Sequence, residues 1–513
     1  MSTPILLATI PSLFVVALLE RLLANRQNAL YVKITLWTMS LGLLLSALTA
    51  LFGSHDTNSS ELLFVDRFSN TVAIFVFGMG LVISSFANRY LLLSNHSSRF
   101  FAYTNLLVAS TLLLVTSNSL ILFGASWLLV SYATVKLISF DLRNNSQQSS
   151  KFTRKYFLIG DFSLVFAIAI ISITKNEEID LNFADVKLFS ETNSVVANIL
   201  IGSLLAVACM SRSALFPLNK WLSRSIEAPT IVSALLHAGV VNGSAILFLR
   251  FHSLLTAQAL TTIFFTTIGL ASLILGMSAG RVRPDIKGGL AWTTTAQMGF
   301  MTIQLALGLI GPALIHMIAH GMFKSSLFLS SSSALEGDSN FKHPSTKPVS
   351  KSNYALSGII SASVVALTLW IFRPHYLESP AVVLPIFFLW STISYSLSQW
   401  WNRDFPNKLS NIVVPSILAL FGTSVAVWTS SAIENWIGIE ENVSSNLSTI
   451  LAFIVIGSVA TVWVFGNIIP RKYPILSNFL WIKVSSLASN SDSKNHVDKD
   501  KIQRTIVLEG LDQ

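Results

Sequence analysis

Long apolar runs alternate with short polar connections from one end of this chain to the other. A run of about 20 apolar residues, wound as an α-helix, spans the hydrocarbon core of a bilayer. The pattern therefore predicts an all-α polytopic membrane protein with roughly 13–15 transmembrane helices. The runs fall near residues 5–24, 34–53, 71–88, 101–117, 119–140, 156–174, 195–226, 228–249, 259–279, 288–309, 312–335, 354–372, 380–398, 411–428 and 448–466. Residues 1–100 group as N-terminal helices, 101–250 and 251–410 as two successive helical units, 411–470 as C-terminal helices, and 471–513 as an interfacial segment and polar tail.

The polar connections sort by charge. Arg21, Arg26 and Lys33, then Arg89 and Arg99, then Arg143, Lys151, Arg154 and Lys155, then Arg281, Arg283 and Lys287 belong to alternate loops. The intervening loops carry Asp56, Glu61 and Asp66, then Glu177, Glu178, Asp180, Asp185 and Glu191, then Glu434, Glu440 and Glu441. Lys and Arg accumulate in cytoplasmic loops. An odd number of crossings then places the N-terminus outside and the C-terminus in the cytoplasm of a cell with an inner membrane. The stretch from Met1 to Ala24 lacks the basic start and small-residue cleavage site of a removable signal, so it is expected to stay as the first helix.

One run is interrupted by chemistry that lipid does not tolerate. Residues 212–249 read RSALFPLNKWLSRSIEAPTIVSALLHAGVVNGSAILFLR, with Arg212, Pro217, Pro229 and His237 inside sequence otherwise apolar enough for membrane. A Pro at membrane depth frees backbone groups, and an Arg there is costly, so such a break persists only inside protein or beside a wet cavity. In discontinuous transmembrane helices it marks an ion or substrate path. The sequence predicts a helix break near 212–217.

Composition agrees. Of 513 residues, 52% are hydrophobic and 12% charged, against roughly 25% charged in a soluble domain. The net charge of +9 comes from basic residues dispersed through short loops, a topology bias and not a nucleic-acid surface. Cys209 is the single cysteine, which excludes an internal disulfide and any Cys-based zinc site.

Other ionisable residues also lie at depth. His316, His320 and Lys324 recur every four residues and so share one helix face, rising about 12 Å from first to last. Stacked groups that exchange protons near neutral pH suit a proton relay. Asp161 lies in an apolar stretch after a basic loop, where it can pair with Lys136 or Lys155. Lys136 is placed either to snorkel to the surface or to join the path. Arg212 stays protonated, so it organises charge without relaying a proton, either holding a carboxylate such as Asp161 ionised or gating cations between two half-paths. The sequence has no GxxxxGK[ST], HExxH, GxSxG or CxxC motif, which leaves an ATPase, zinc protease, serine hydrolase or haem carrier without local support. No metal ligand set is expected in this chain.

Several ordered motifs carry a resemblance. Arg212–Pro217, Trp221-Leu222, Ala228-Pro229-Thr230, Val232–Ala238, Asp285-Ile286-Lys287, and His316–Lys324 with Leu327-Phe328-Leu329 resemble the proton-translocating antiporter-like subunits of respiratory complex I and of Mrp antiporters. The likeness covers roughly residues 70–335. It implies two inverted repeats, each with a broken helix, around a hydrated polar axis. It adds Lys287 to the candidate ion-path residues Arg212, His237, His316, His320, Lys324, Asp161 and Lys136. There are departures. The family has Lys where Arg212 stands and Glu where Leu128 follows Trp127, and residues 354–372 have no charge or Pro, so the second repeat looks degenerate.

Within the family, the shortened chain with Leu235–Gly243 is most similar to the DabB membrane subunits of inorganic-carbon accumulation complexes. That similarity implies a cytoplasmic DabA-like partner related to zinc carbonic anhydrases. The partner would hold the zinc and hydrate CO2, driven by a cation gradient through the membrane subunit. This chain itself would need no cofactor. A non-conducting membrane anchor and a subunit of a complex I-like or Mrp-like assembly remain alternatives.

Overall fold

The computed structural model describes residues 2–22, 28–52, 62–174, 183, 186–283, 285–331, 351–373, 382–401, 408–438, 446–472, 482 and 484–486. Among them the fold is helical, with one isolated bridge between Leu63 and Ser117. In chain order the helices are α1 (Ser2–Leu22), α2 (Asn28–Phe52), α3 (Arg67–Tyr90), α4 (Ser97–Thr116), α5 (Leu120–Ile138), α6 (Asn144–Thr174), α7 (Val186–Thr192), α8 (Val195–Arg212), α9 (Lys220–Arg224) and α10 (Thr230–Ala238). They continue with α11 (Gly243–Arg250), α12 (His252–Thr256), α13 (Ala259–Val282), α14 (Ile286–Ala306), α15 (Ile310–Ser330), α16 (Lys351–Phe372), α17 (Val383–Trp401), α18 (Lys408–Ile437) and α19 (Asn446–Lys472). Ten of the described spans are long and apolar enough to cross a membrane. Each apolar run read from the sequence overlaps at least one of these helices.

Three boundaries differ from the sequence pattern. The run at 195–226 stops at Arg212 and resumes only as the short α9. The run at 228–249 is itself interrupted by a 3-10 turn at Val240–Asn242, and Pro229 caps the start of α10 instead of breaking a helix. α6 begins at Asn144, twelve residues before the apolar stretch at 156–174, through sequence that reads as a polar loop. Tertiary bonds explain the extension: Ser149 donates to the Arg224 carbonyl at 3.0 Å and Ser150 to the Val135 carbonyl at 2.7 Å.

The bundle has a basic end and an acidic end. At the acidic end Arg250 pairs with Asp66, Arg67 donates to the Trp436 carbonyl, and Arg373 pairs with Glu434. At the basic end the Lys287 ammonium donates to the Ile226 and Ala228 carbonyls at 3.3 and 3.1 Å. Of the acidic-loop residues named above, Asp56, Glu61, Glu177, Glu178, Asp180, Asp185, Glu440 and Glu441 lie outside the described residues, as does the tail from 487 onward. One large apolar core runs through α3–α6, α8–α11, α14 and α15, including Trp127, Phe157, Trp221 and Phe328. A second joins α13, α14, α17 and α19 through Leu273, Ile303, Leu384 and Val455. α15 sits tight against α3 and α10. A Cβ on Gly321 would lie 2.5 Å from Phe75 Cζ and 3.1 Å from the Ala238 carbonyl. Ser325 reinforces the contact by donating to the Ala234 carbonyl at 3.0 Å.

Candidate ion pathway

α8 ends where the sequence places its cation. Beyond Arg212, Ala214 takes a left-handed conformation (φ 50°) and the Leu215 N–H bonds back to the Met210 carbonyl at 3.0 Å. That is the helix-ending arrangement usually given to glycine at the left-handed position. A positive side chain in the last turn complements the exposed carbonyls there. The Trp221 indole takes another of them, donating to Ser211 at 2.8 Å. The break is thus satisfied by protein, as membrane depth requires.

The two interruptions lie against each other. Ser213, just past Arg212, donates to the Val241 carbonyl and accepts from the Ser244 N–H at 3.2 Å. Neighbouring Cys209 is buried beside the Ser244 carbonyl. It packs as a small apolar side chain.

Arg212 is 2% exposed and Asp161 7%, so this is a buried charge pair. One guanidinium nitrogen donates to Ser131 Oγ at 2.7 Å, to the Trp127 carbonyl at 3.1 Å, and lies 3.4 Å from Asp161 Oδ1. Ser131 in turn donates to the same carboxylate oxygen at 2.7 Å. Trp127 and Phe157 hold the guanidinium by their faces, with ring centroids 4.3 and 4.7 Å from Cζ. Gly160 makes the pair possible: a Cβ there would lie 2.5 Å from Ser211 Cβ, so any larger residue would push α6 off α8. Lys155 is exposed and is not the partner of Asp161. Lys136 is also exposed, with its ammonium over the Tyr132 ring at 5.6 Å, and stands apart from the buried centre. Lys287 stands apart as well, fastening α14 to the turn before α10.

The face on α15 is assembled as its spacing implies, with partners the sequence reading missed. His316 Nδ1 lies 3.1 Å from Gln304 Oε1, and His320 Nδ1 2.7 Å from Gln297 Oε1. Lys324 donates to Thr293 Oγ1 at 2.6 Å and to the Leu290 carbonyl at 3.1 Å. Thr293, Gln297 and Gln304 recur on α14 at helical spacing, a polar stripe that was visible as glutamines within an apolar run. His237, on α10, is fully buried and stacks on Phe328 of α15, ring centroids 4.3 Å apart. Arg212 Nη1, His237 Nδ1, Asn242 Oδ1 and His320 Nε2 are buried without a hydrogen-bond partner. They belong to the α8 break, α10, the turn between α10 and α11, and α15.

A cavity of about 840 Å3 lies beside this face, between α14–α15 and α16–α18. Gln297, Gln304 and His316 line one wall, and Leu369, Arg373 and Ser430 belong to the other. Toward the acidic end, Ser430 donates to Glu434 at 3.2 Å and Gly311 of α15 lies directly under that carboxylate. α16 runs unbroken from Lys351 to Phe372, so the charge next to the second half of the axis comes from its end, at Arg373.

These features define a polytopic membrane subunit with a broken helix and a buried set of charged and titratable groups. Residues 117–371, just under half of the chain, match the model of the NADH:quinone oxidoreductase/Mrp antiporter transmembrane family. Among curated proteins it is similar to the probable inorganic carbon transporter subunit DabB1 of Halothiobacillus neapolitanus, 26% identical over 456 residues covering 83% of this chain and 81% of that protein. It is 33% identical to NADH-quinone oxidoreductase subunit L of Buchnera aphidicola over 286 residues, 55% of this chain but only 46% of that protein. Its fold matches a chain of the Mrp complex from Dietzia with a TM-score of 0.63 at 20% identity, over 99% of this chain and 62% of that one.

Proposed function

We propose that this chain conducts a cation, a proton in the first instance, and so couples an ion gradient to CO2 hydration by a soluble zinc partner. The single observation that carries ion conduction is the α15 face. His316, His320 and Lys324 stand in register, each held by a polar group of α14, with His237 packed beside them. Burying His320 and Lys324 costs stability, which favours a functional reading of the face over a purely structural one. The relative described as a probable inorganic carbon transporter subunit, matched over most of both chains, supports inorganic carbon as the substrate class and assembly with a partner. On this proposal the basic end faces the cytoplasm of an inner membrane, the N-terminus is outside, and the DabA-like carbonic-anhydrase-related protein docks at the cytoplasmic face.

The test is to purify the tagged chain from its native host and assay zinc and CO2 hydration in the purified material. A co-purifying zinc-bearing partner is the expected result, with CO2 hydration in sealed, energised membrane vesicles that collapses on adding an uncoupler. Recovery as a lone, zinc-free but functional transporter would sink the partner, and recovery with quinone-oxidoreductase or antiporter subunits would move the chain to those assemblies.

A further inference from the structure

Glu20 lies outside the path described above. It sits in the last turn of α1, fully buried. Thr35 of α2 donates to one carboxyl oxygen at 2.7 Å, and Asn105 of α4 donates to the other at 2.9 Å. Asn105 also donates to Thr35 Oγ1 at 2.8 Å, closing a ring of three side chains from three helices. Among the described residues no cation pairs with Glu20. The neighbouring Arg21 points to the exposed surface.

A carboxylate buried with no cation is far more costly than the neutral acid. The ring provides for both forms. As arranged, each carboxyl oxygen only accepts, which suits the ion. Asn105 Oδ1 is meanwhile buried with no partner. A half-turn of the Asn105 amide exchanges Nδ2 and Oδ1; it gives up the Asn105 donation to Thr35 and presents an acceptor to the O–H of the acid, while Thr35 keeps donating to the other carboxyl oxygen. The Thr35 hydroxyl serves either state. Protonation therefore adds one proton to a carboxyl oxygen, breaks no other covalent bond, and is matched by an amide rotation without backbone movement.

We propose that Glu20, Thr35 and Asn105 form a second proton-binding site, separate from the α15 face. α4 packs against α1 on one side and α5 on the other, and α5 carries the Ser131 and Trp127 that hold Arg212. The state of Asn105 thus bears on the helix that separates Glu20 from the Arg212 centre. Because this site deepens the ion-coupling function proposed above, its test needs a readout of its own.

The full-length chain, with any partner that co-purifies, is placed in lipid nanodiscs and followed by infrared spectroscopy during a pH titration. The expected result is a carboxylic-acid C=O band that converts reversibly to carboxylate and is missing from Glu20→Gln. Gradient-driven activity should be lost in Glu20→Gln at normal abundance and partly kept in Glu20→Asp. Full activity in Glu20→Gln overturns the proposal, since Gln mimics a permanently neutral acid. If Glu20→Gln fails to reach the membrane, the wild-type spectrum decides: a titrating band that shifts in Asn105→Ala supports the site, and a pH-invariant spectrum overturns it. Lys324→Met serves as the control. Loss of activity there but not in Glu20→Gln defeats this site alone, whereas full activity in Lys324→Met defeats the α15 path.

Discussion

Around Arg212 a permanent cation is held by a carboxylate, a hydroxyl, a carbonyl and two aromatic faces. Along α15 three titratable side chains are held only by neutral amides, a hydroxyl and a carbonyl. The first arrangement fixes a charge, and the second leaves charge free to change. A guanidinium does not give up its proton in a protein, so the α8 break cannot be a relay station. On the proposed function its place is to set the field around the histidines and Lys324. The counter-charge at the first arrangement comes from α6: Asp161 faces Arg212 both directly and through Ser131.

The comparison breaks most severely at Arg212. Arg212→Ala should abolish gradient-driven function and lower the amount of folded protein, because Asp161 is left buried and unpaired at a cost of about 3–5 kcal/mol. Arg212→Lys keeps the charge but loses the stack between Trp127 and Phe157, so partial function is expected. Membrane abundance and transport are measured for both, and an active, stable Arg212→Ala protein would show that the charge is not needed.

On the titratable side, Lys324→Met and His320→Ala should remove function while abundance stays near wild type, since neutral groups are cheaper in lipid. An active Lys324→Met protein would make the α15 face structural only. A smaller loss is expected for Gln297→Leu, which strips His320 of its partner and leaves a buried imidazole nitrogen unsatisfied, at about 1–3 kcal/mol. Thermal unfolding and transport should both fall in that variant. Gln304→Leu should fall less, because its contact to half-buried His316 is longer. The smallest effect belongs to Lys136→Ala. Exposed over Tyr132, that residue should be replaceable without change in transport rate, and a large drop would return it to the path.

Much of this was legible from spacing alone. Helix period put His316, His320 and Lys324 on one face, and Arg212 followed by Pro217 announced a break. What spacing cannot show is who faces whom. Thr293, Gln297 and Gln304 acquire meaning only because α14 lies beside α15. Glu20 reads as the polar end of a first helix until α2 and α4 close around it. The interruption at Val240–Asn242 had a signal in Gly239 and Gly243, yet the surrounding apolar residues made the run look continuous. Residues 144–155 looked like a loop because their polarity reflects a basic end, while their serines bond to neighbouring helices and keep them helical.

The sequence by itself determined the all-helical fold, the break at Arg212 and the aligned face on α15, because a bilayer enforces apolar length and helical period locally. Tertiary structure chose Arg212 over Lys136 and Lys155 among the partners the sequence left open to Asp161, and it alone decided that glutamines hold the histidines and that Glu20 sits in a closed ring. Those pairings depend on which helices touch, and contact between helices is settled by close approach at residues such as Gly160 and Gly321, where a single added methyl group would drive them apart.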